Sequence, residues 1–108
     1  MNDLTDTLAR LISINSVNPE WNGPGEAEAG AFVRRFLEGA GLEVWVDEVL
    51  PGRANILARL PGRDVTRSVL LEAHLDTVSV ADMTIPPFDP VIRDGRIHGR
   101  GSCDTKAG

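Results

Sequence analysis

Three observations predict an α/β fold for this chain of 108 residues. Apolar residues recur at helical spacing in two stretches near the N-terminus, and they alternate with polar residues in the stretches that follow. Further on, Asp94-Gly95 separates the short runs 91–93 and 96–98, which is the sequence pattern of a tight β-hairpin. Two helices followed by strands are typical of the α/β class, and the length suits one domain of ordinary size.

The first predicted helix runs from Asp3 to about Ile14. Asn2 or Asp3 can cap its N-terminus, and Pro19 ends the helical region because its ring disfavours helical geometry at the preceding residue. One face of this helix carries the apolar residues Leu4, Leu8, Leu11 and Ile12. We expect this face to pack against the rest of the domain.

The second predicted helix runs from Glu26 to Glu38. Gly39 and Gly41 follow it and supply a C-terminal stop, since glycine accepts the left-handed conformation in which many helices end. Its apolar face is formed by Ala29, Phe32, Val33, Phe36 and Leu37. We expect the side chains of this face, and the other aromatic side chains of the sequence, to pack against the rest of the domain.

Three strands are predicted after the helices. Alternating residues indicate a half-buried strand through about Val49, and Asn55 to Leu60 follows the turn at Pro51-Gly52. Ser68 to His74 is the third strand, and its uninterrupted apolar centre predicts cover on both faces. A further helix is expected to begin near Asp104.

Composition excludes several function classes. Eleven Lys and Arg residues against sixteen Asp and Glu give a net charge of −5 without a basic run, so neither nucleic acid nor an anionic membrane is expected as a partner. No apolar stretch approaches the roughly 20 residues that span a bilayer. The single cysteine, Cys103, cannot form an internal disulfide, and no secretory signal is readable, so we expect a soluble protein in the cytoplasm.

The first candidate for chemistry is His74-Leu75-Asp76, at the end of the third predicted strand. In extended chain the two polar side chains point the same way. An imidazole nitrogen is a good ligand for a divalent metal, and a carboxylate on the other ring nitrogen strengthens that role. On spacing alone, a surface or capping His-Asp pair is the favoured interpretation, since such short motifs often occur by chance.

The second candidate is Asp104, which follows two glycines in Gly99-Arg100-Gly101. The glycines permit a tight turn that aims the aspartate, and a carboxylate can bridge two cations. Alternatively, Asp104 caps a following helix, the glycines serve an ordinary turn, or the turn holds a phosphate. A Cys103 or Ser102 nucleophile with His98 is a further, disfavoured alternative, and we expect Cys103 to be a small packed side chain.

Together the two segments resemble the zinc-dependent exopeptidase and deacylase family that includes acetylornithine deacetylase, succinyl-diaminopimelate desuccinylase, aminoacylase and glutamate carboxypeptidase. The resemblance spans almost the whole chain. It is carried by the segments Ser16-Val17-Asn18-Pro19, His74-Leu75-Asp76-Thr77-Val78, Pro87-Phe88-Asp89-Pro90, Asp94-Gly95 and Gly99-Arg100-Gly101-Ser102-Cys103-Asp104-Thr105-Lys106. The sequence departs from the family pattern at Ala73, Ser79, Met83-Thr84, Thr105 and Ala107, and none of these departures removes a ligand.

The resemblance implies the N-terminal part of a zinc-exopeptidase-type, phosphorylase/hydrolase-like catalytic domain, with a mixed sheet and flanking helices. It implies that His74 binds one zinc ion, that Asp104 bridges two, and that Asp76 holds the His74 ring as part of the catalytic machinery. Cobalt or manganese could replace zinc. It also implies a cis peptide bond between Asp104 and Thr105, and a general-base glutamate located downstream of this chain.

The resemblance further implies hydrolysis of an amide bond in an N-acyl amino acid or a small peptide. Residues 1–108 would then be an N-terminal fragment that lacks the rest of the catalytic domain and the dimerisation domain, and the parent protein would be a possible homodimer. We expect the fragment alone to be inactive. The alternative is a noncatalytic binding or regulatory module on the same scaffold.

Overall fold

A computed structural model describes residues 3–108 and shows the predicted α/β architecture. Helix α1 comprises Asp3–Ser13 and helix α2 comprises Ala27–Gly39, each within a residue or so of the predicted bounds. A short 3₁₀ helix, Pro19–Trp21, lies between them. The capping role considered for Asn2 lies outside the described residues.

Helix α2 ends as its two glycines predict. Gly41 has a φ of 81°, and its N–H donates to the Glu38 carbonyl. The N–H of Leu42 reaches back to the Leu37 carbonyl at 3.2 Å. These two bonds form a Schellman motif, in which a left-handed residue satisfies the last helical carbonyls. The chain therefore leaves α2 in the direction that starts the first strand.

Strands β1 (Glu43–Leu50) and β2 (Arg53–Arg59) form an antiparallel hairpin. The register pairs Trp45 with Leu57 and carries an irregularity near the Pro51-Gly52 turn. Helix α2 packs on both strands of this hairpin. The two strands match the predicted ones to within two residues, and they form the first of two separate two-stranded sheets.

Strands β3 (Val91–Arg93) and β4 (Arg96–His98) form the second antiparallel hairpin. Asp94 and Gly95 occupy the turn with φ values of 53° and 71°. Positive φ at both central residues is the signature of a type I′ turn, whose twist matches that of the flanking strands. The Asp94-Gly95 prediction is confirmed.

Two predictions of secondary structure are wrong. Residues 68–74 have no regular secondary structure, and Val69, Leu70 and Leu71 are 85%, 88% and 89% exposed. A strand requires a partner for its backbone groups, and no strand described in residues 3–108 pairs with this segment. Residues 100–107 likewise form turns, so within the described chain Asp104 caps no helix.

The fully buried part of the domain lies where α1 meets the loops. Ile12, Val17 and Ala29 are its buried apolar residues, and Thr77 is buried beside them. Val17 and Thr77 form an isolated parallel β-bridge, so the loop after α1 pairs directly with the chain that follows His74. This bridge brings the N-terminal loop to the candidate site.

No helix described here is long and apolar enough to cross a bilayer.

Candidate metal centre

The His74 ring lies between two aspartates that are far apart in sequence. Its Nδ1 lies 2.9 Å from the backbone carbonyl oxygen of Asp76 and 3.3 Å from that residue's Oδ1. Its Nε2 lies 2.9 Å from Oδ1 of Asp104. The structure thus brings together the three residues that the sequence singled out, with one aspartate at each ring nitrogen.

Asp104 reaches the ring from the turn region that follows β4. Gly101 has a φ of 82°, and its carbonyl accepts a 2.9 Å hydrogen bond from the N–H of Lys106. The peptide bond between Asp104 and Thr105 is cis. A Cβ at Gly101 would lie 3.0 Å from both Thr77 Cγ2 and Lys106 Cδ. The absence of a side chain at Gly101 therefore lets the two motif segments approach each other.

Lys106 fixes this turn to helix α1. Its Nζ donates to the carbonyl oxygens of Leu11 and Ile14, each at 2.7 Å, and these carbonyls belong to the C-terminal end of the helix. Burial lowers the pKa of Lys106 to about 8, while the negative end of the helix dipole is a favourable place for its ammonium group. The position of Asp104 therefore depends on the end of α1.

Asp76 is fixed by the loop after α1. The N–H of Asn18 donates to the Thr77 carbonyl and the N–H of Thr77 donates to the Ser16 carbonyl, each at 2.9 Å, which forms the parallel bridge. The side-chain Nδ2 of Asn18 donates to Oδ2 of Asp76 at 2.8 Å. Both backbone and side-chain contacts therefore determine where Asp76 lies relative to His74.

The charges of the site reinforce one another. The hydrogen bond to Asp104 raises the pKa of His74 above its ordinary value of 6.5, and contacts with Asp76 act in the same direction against partial burial. The amide of Asn18 lowers the pKa of Asp76 below 3.8, and the charges of His74 and Arg53 add to this effect. The site therefore favours the ionised form of the Asp76 carboxylate.

His74 and Asp104 suit a divalent transition metal as part of a donor set. Their side chains are 49% and 80% exposed, so both remain open to a ligand. Nε2 and Oδ1 lie 2.9 Å apart, which is a hydrogen-bond distance, and imidazole nitrogen and carboxylate oxygen are both atoms that bind zinc in proteins. Within residues 3–108, however, no group of three His, Cys, Asp or Glu side chains converges to hold an ion. The two residues fit a metal as partial ligands.

A cleft of about 830 Å³ opens beside this cluster. Its walls include strand β2, helix α2 and the segment that leads to His74, and Lys106 lies at one side. Glu26 enters the cleft wall and accepts a 2.8 Å ion-paired hydrogen bond from Arg53 Nε. The cluster therefore borders a space large enough for a small organic substrate.

The remaining side chains of the second motif have other positions. Cys103 is exposed, so the prediction of a packed cysteine is wrong; the tight turn directs it outward. His98 pairs across the hairpin with Val91. Arg100 donates to the Ser79 carbonyl at 2.8 Å, and its N–H donates to the Pro87 carbonyl at 2.7 Å. Arg100 therefore holds the loop that precedes β3.

Sequence reasoning missed the roles of Asn18 and Lys106 in building the site. The sequence indicates Asn18 only as part of the segment that ends the first helix and carries the family resemblance, yet its Oδ1 caps the 3₁₀ helix through the Glu20 N–H while its Nδ2 binds Asp76. Lys106 was noted only as part of the second motif. Contacts that join residues separated by 58 or more positions leave no local periodicity by which to find them.

Comparison with known proteins defines the class of this chain. It is 37% identical to a protein of Methanocaldococcus jannaschii named an uncharacterized metallohydrolase, over 91% of the chain and 27% of the relative. It is 36% identical to succinyl-diaminopimelate desuccinylase of Cereibacter sphaeroides, over 93% of the chain and 26% of the relative. It is 33% identical to N-formyl-4-amino-5-aminomethyl-2-methylpyrimidine deformylase of Halalkalibacterium halodurans, over 76% of the chain and 20% of the relative. These similarities define a protein of the metallohydrolase class.

The C-terminal third of the chain also matches a family model. Residues 70–108, which contain both motif segments, match the model of peptidase family M20/M25/M40. The chain belongs to this family of zinc exopeptidases and deacylases. It spans between about a fifth and about a quarter of the length of the relatives described above.

Proposed function

We propose that this chain forms the N-terminal part of the catalytic domain of a metal-dependent amidohydrolase that acts on N-acyl amino acids or small peptides. The observation that carries the proposal is the placement of His74 Nε2 and Asp104 Oδ1 2.9 Å apart beside an open cleft. The names of the desuccinylase and deformylase relatives support removal of an acyl group from an amine.

The proposed roles follow from the geometry of the three side chains. His74 presents Nε2 as a ligand because its Nδ1 faces the carbonyl and carboxylate of Asp76, which favour a proton on that nitrogen. Asp104 would hold the metal through its carboxylate oxygens. Asp76 orients the ring. When bound, the metal would lower the pKa of the attacking water and polarise the amide carbonyl.

The remaining ligands and the general base are assigned to other parts of the complete protein. A catalytic zinc ion takes three protein ligands and one open position, whereas His74 and Asp104 are two donors. This assignment predicts that the 108-residue chain alone hydrolyses no amide and binds zinc weakly. Measurable deacylase turnover by this chain would contradict it.

The test is hydrolysis of a panel of N-acetyl, N-succinyl and N-formyl amino acids and dipeptides by the complete protein. Wild-type protein is expected to lose activity on chelation and regain it with Zn²⁺, Co²⁺ or Mn²⁺. His74→Ala and Asp104→Ala should abolish turnover, whereas His98→Ala, which alters the other histidine, should retain it. Full activity in both site variants would refute the proposal.

A further inference from the structure

Asn18 links the N-terminal loop to the candidate metal centre. Its side-chain amide donates to Oδ2 of Asp76 at 2.8 Å, and the other oxygen of that carboxylate lies 3.3 Å from Nδ1 of His74. The Asn18 amide and the His74 ring therefore contact the same carboxylate through different oxygens, and the other ring nitrogen, Nε2, faces Asp104.

The geometry fixes both ends of this chain of contacts. The Asn18 backbone N–H holds the Thr77 carbonyl at 2.9 Å, so the asparagine cannot drift away from the residue that follows Asp76. Asn18 Oδ1 is occupied by the Glu20 N–H at 2.9 Å, which orients the amide with Nδ2 toward Asp76. The asparagine is thus preorganised as a donor to one carboxylate oxygen.

This donor restricts the carboxylate of Asp76. With Oδ2 engaged, the side chain keeps one orientation, and Oδ1 and the backbone carbonyl both remain beside Nδ1 of His74. Acceptors at Nδ1 favour the tautomer that carries its proton there and leaves Nε2 with a free lone pair. Without the donor, the carboxylate can rotate away from the ring, and the backbone carbonyl of Asp76 is then the acceptor that remains beside Nδ1.

We propose that Asn18 is a positioning residue that acts through Asp76 to hold His74 in the tautomer and orientation required of a metal ligand. This inference rests on the proposed function for the meaning of that orientation. The effect on the ring itself exists in the metal-free protein and is measurable there.

Two variants separate the positioning role from the capping role. Asn18→Asp keeps an oxygen acceptor for the Glu20 N–H and removes the donor to Asp76, whereas Asn18→Ala removes both. Asn15→Ala is the matched control, because Asn15 Oδ1 accepts a 3.0 Å bond from the Val17 N–H in the same loop and has a partner other than Asp76. A purely structural effect would be shared by Asn15→Ala.

The primary readout is the tautomer of His74, determined from imidazole nitrogen shifts in long-range ¹H–¹⁵N NMR spectra. The sequence has two histidines, so His98 serves as an internal reference. Spectra are recorded on the metal-free complete protein, at a pH well above the His74 pKa. An Asp104→Ala background removes the competing acceptor at Nε2.

In the Asp104→Ala background we expect His74 to carry its proton on Nδ1. We expect Asn15→Ala to leave this tautomer unchanged. Asn18→Asp and Asn18→Ala should both shift the ring toward the Nε2-protonated tautomer, without a change at His98. An unchanged His74 pattern in both Asn18 variants, or an equal shift in Asn15→Ala, would overturn the proposal. Because this measurement uses metal-free protein, its outcome does not depend on whether the proposed function is correct.

A second readout concerns the metal directly. Loss of a residue that orients a ligand typically weakens metal affinity by about 10 to 100-fold. We therefore expect Asn18→Ala, in an otherwise wild-type complete protein, to bind Zn²⁺ about tenfold more weakly in a chelator competition, and Asn15→Ala to match wild type. Equal affinities of the Asn18→Ala and wild-type proteins would contradict the inference.

Discussion

Gly99 of the second motif packs against helix α1 without room for a side chain. Ile12 is fully buried, and a methyl group added at Gly99 would overlap the Cγ2 methyl of Ile12. The same methyl would lie 3.3 Å from the Pro87 carbonyl oxygen. A β-branched residue in a helix has one strongly preferred rotamer, so Ile12 cannot move aside cheaply.

The Gly99→Ala variant is expected to be destabilised by about 1–3 kcal/mol, the usual cost of one extra carbon in a packed site. Each kcal/mol lowers the Tm of a domain of this size by about 4–8 °C. Gly39→Ala is the matched control: Gly39 is the last residue of α2, a Cβ there meets nothing within 4 Å, and the exchange should stabilise by about 0.5–1 kcal/mol.

Urea unfolding followed by circular dichroism measures both variants against wild type. The expected result is a lower midpoint for Gly99→Ala and an equal or higher midpoint for Gly39→Ala, with similar slopes. A Gly99→Ala protein as stable as wild type would refute the argument that helix α1 and the second motif pack too closely for a side chain.

Three further predictions concern other contacts. Lys106→Met should lose about 1.5–3 kcal/mol in urea unfolding, because it removes charge-assisted bonds to the end of α1; unchanged stability would contradict this. Gly95→Ala should lose about 1 kcal/mol, since its φ of 71° disfavours a side chain, while Gly62→Ala, open on all sides, should shift the thermal midpoint little. Thr66 and Arg67 donate hydrogen bonds to the Asp64 carboxylate and lower its pKa below 3.8. The stability that this carboxylate contributes is therefore present above pH 3.8, and it disappears as the pH falls through the lower pKa of the folded protein. NMR titration of the Asp64 carboxyl should therefore give a pKa below 3.8, and an ordinary value would contradict the observed hydrogen bonds.

Local signals predicted the helices and hairpins well. The bounds of α1 and α2 follow from apolar spacing and from the glycines after α2, and the β3–β4 turn follows from the positive φ that Asp94-Gly95 accepts. Each of these features depends on residues within a few positions of one another. A sequence pattern records such constraints directly.

The segment 68–74 shows where local reasoning fails. Its apolar run is compatible with a buried strand, but strand formation depends on a neighbour that satisfies the backbone, and no described strand of residues 3–108 provides one. The His74, Asp76 and Asp104 set was found from motif spacing and resemblance. The contacts of Asn18 and Lys106 that hold these residues in place arise only when the chain is folded.

The central claim is that His74 and Asp104 are metal ligands. The most direct test is the zinc content per molecule of the complete protein, measured by plasma mass spectrometry after loading and dialysis. We predict equal zinc content in wild type and His98→Ala, and the loss of bound zinc in both His74→Ala and Asp104→Ala. Unchanged zinc stoichiometry in the two site variants would contradict the account.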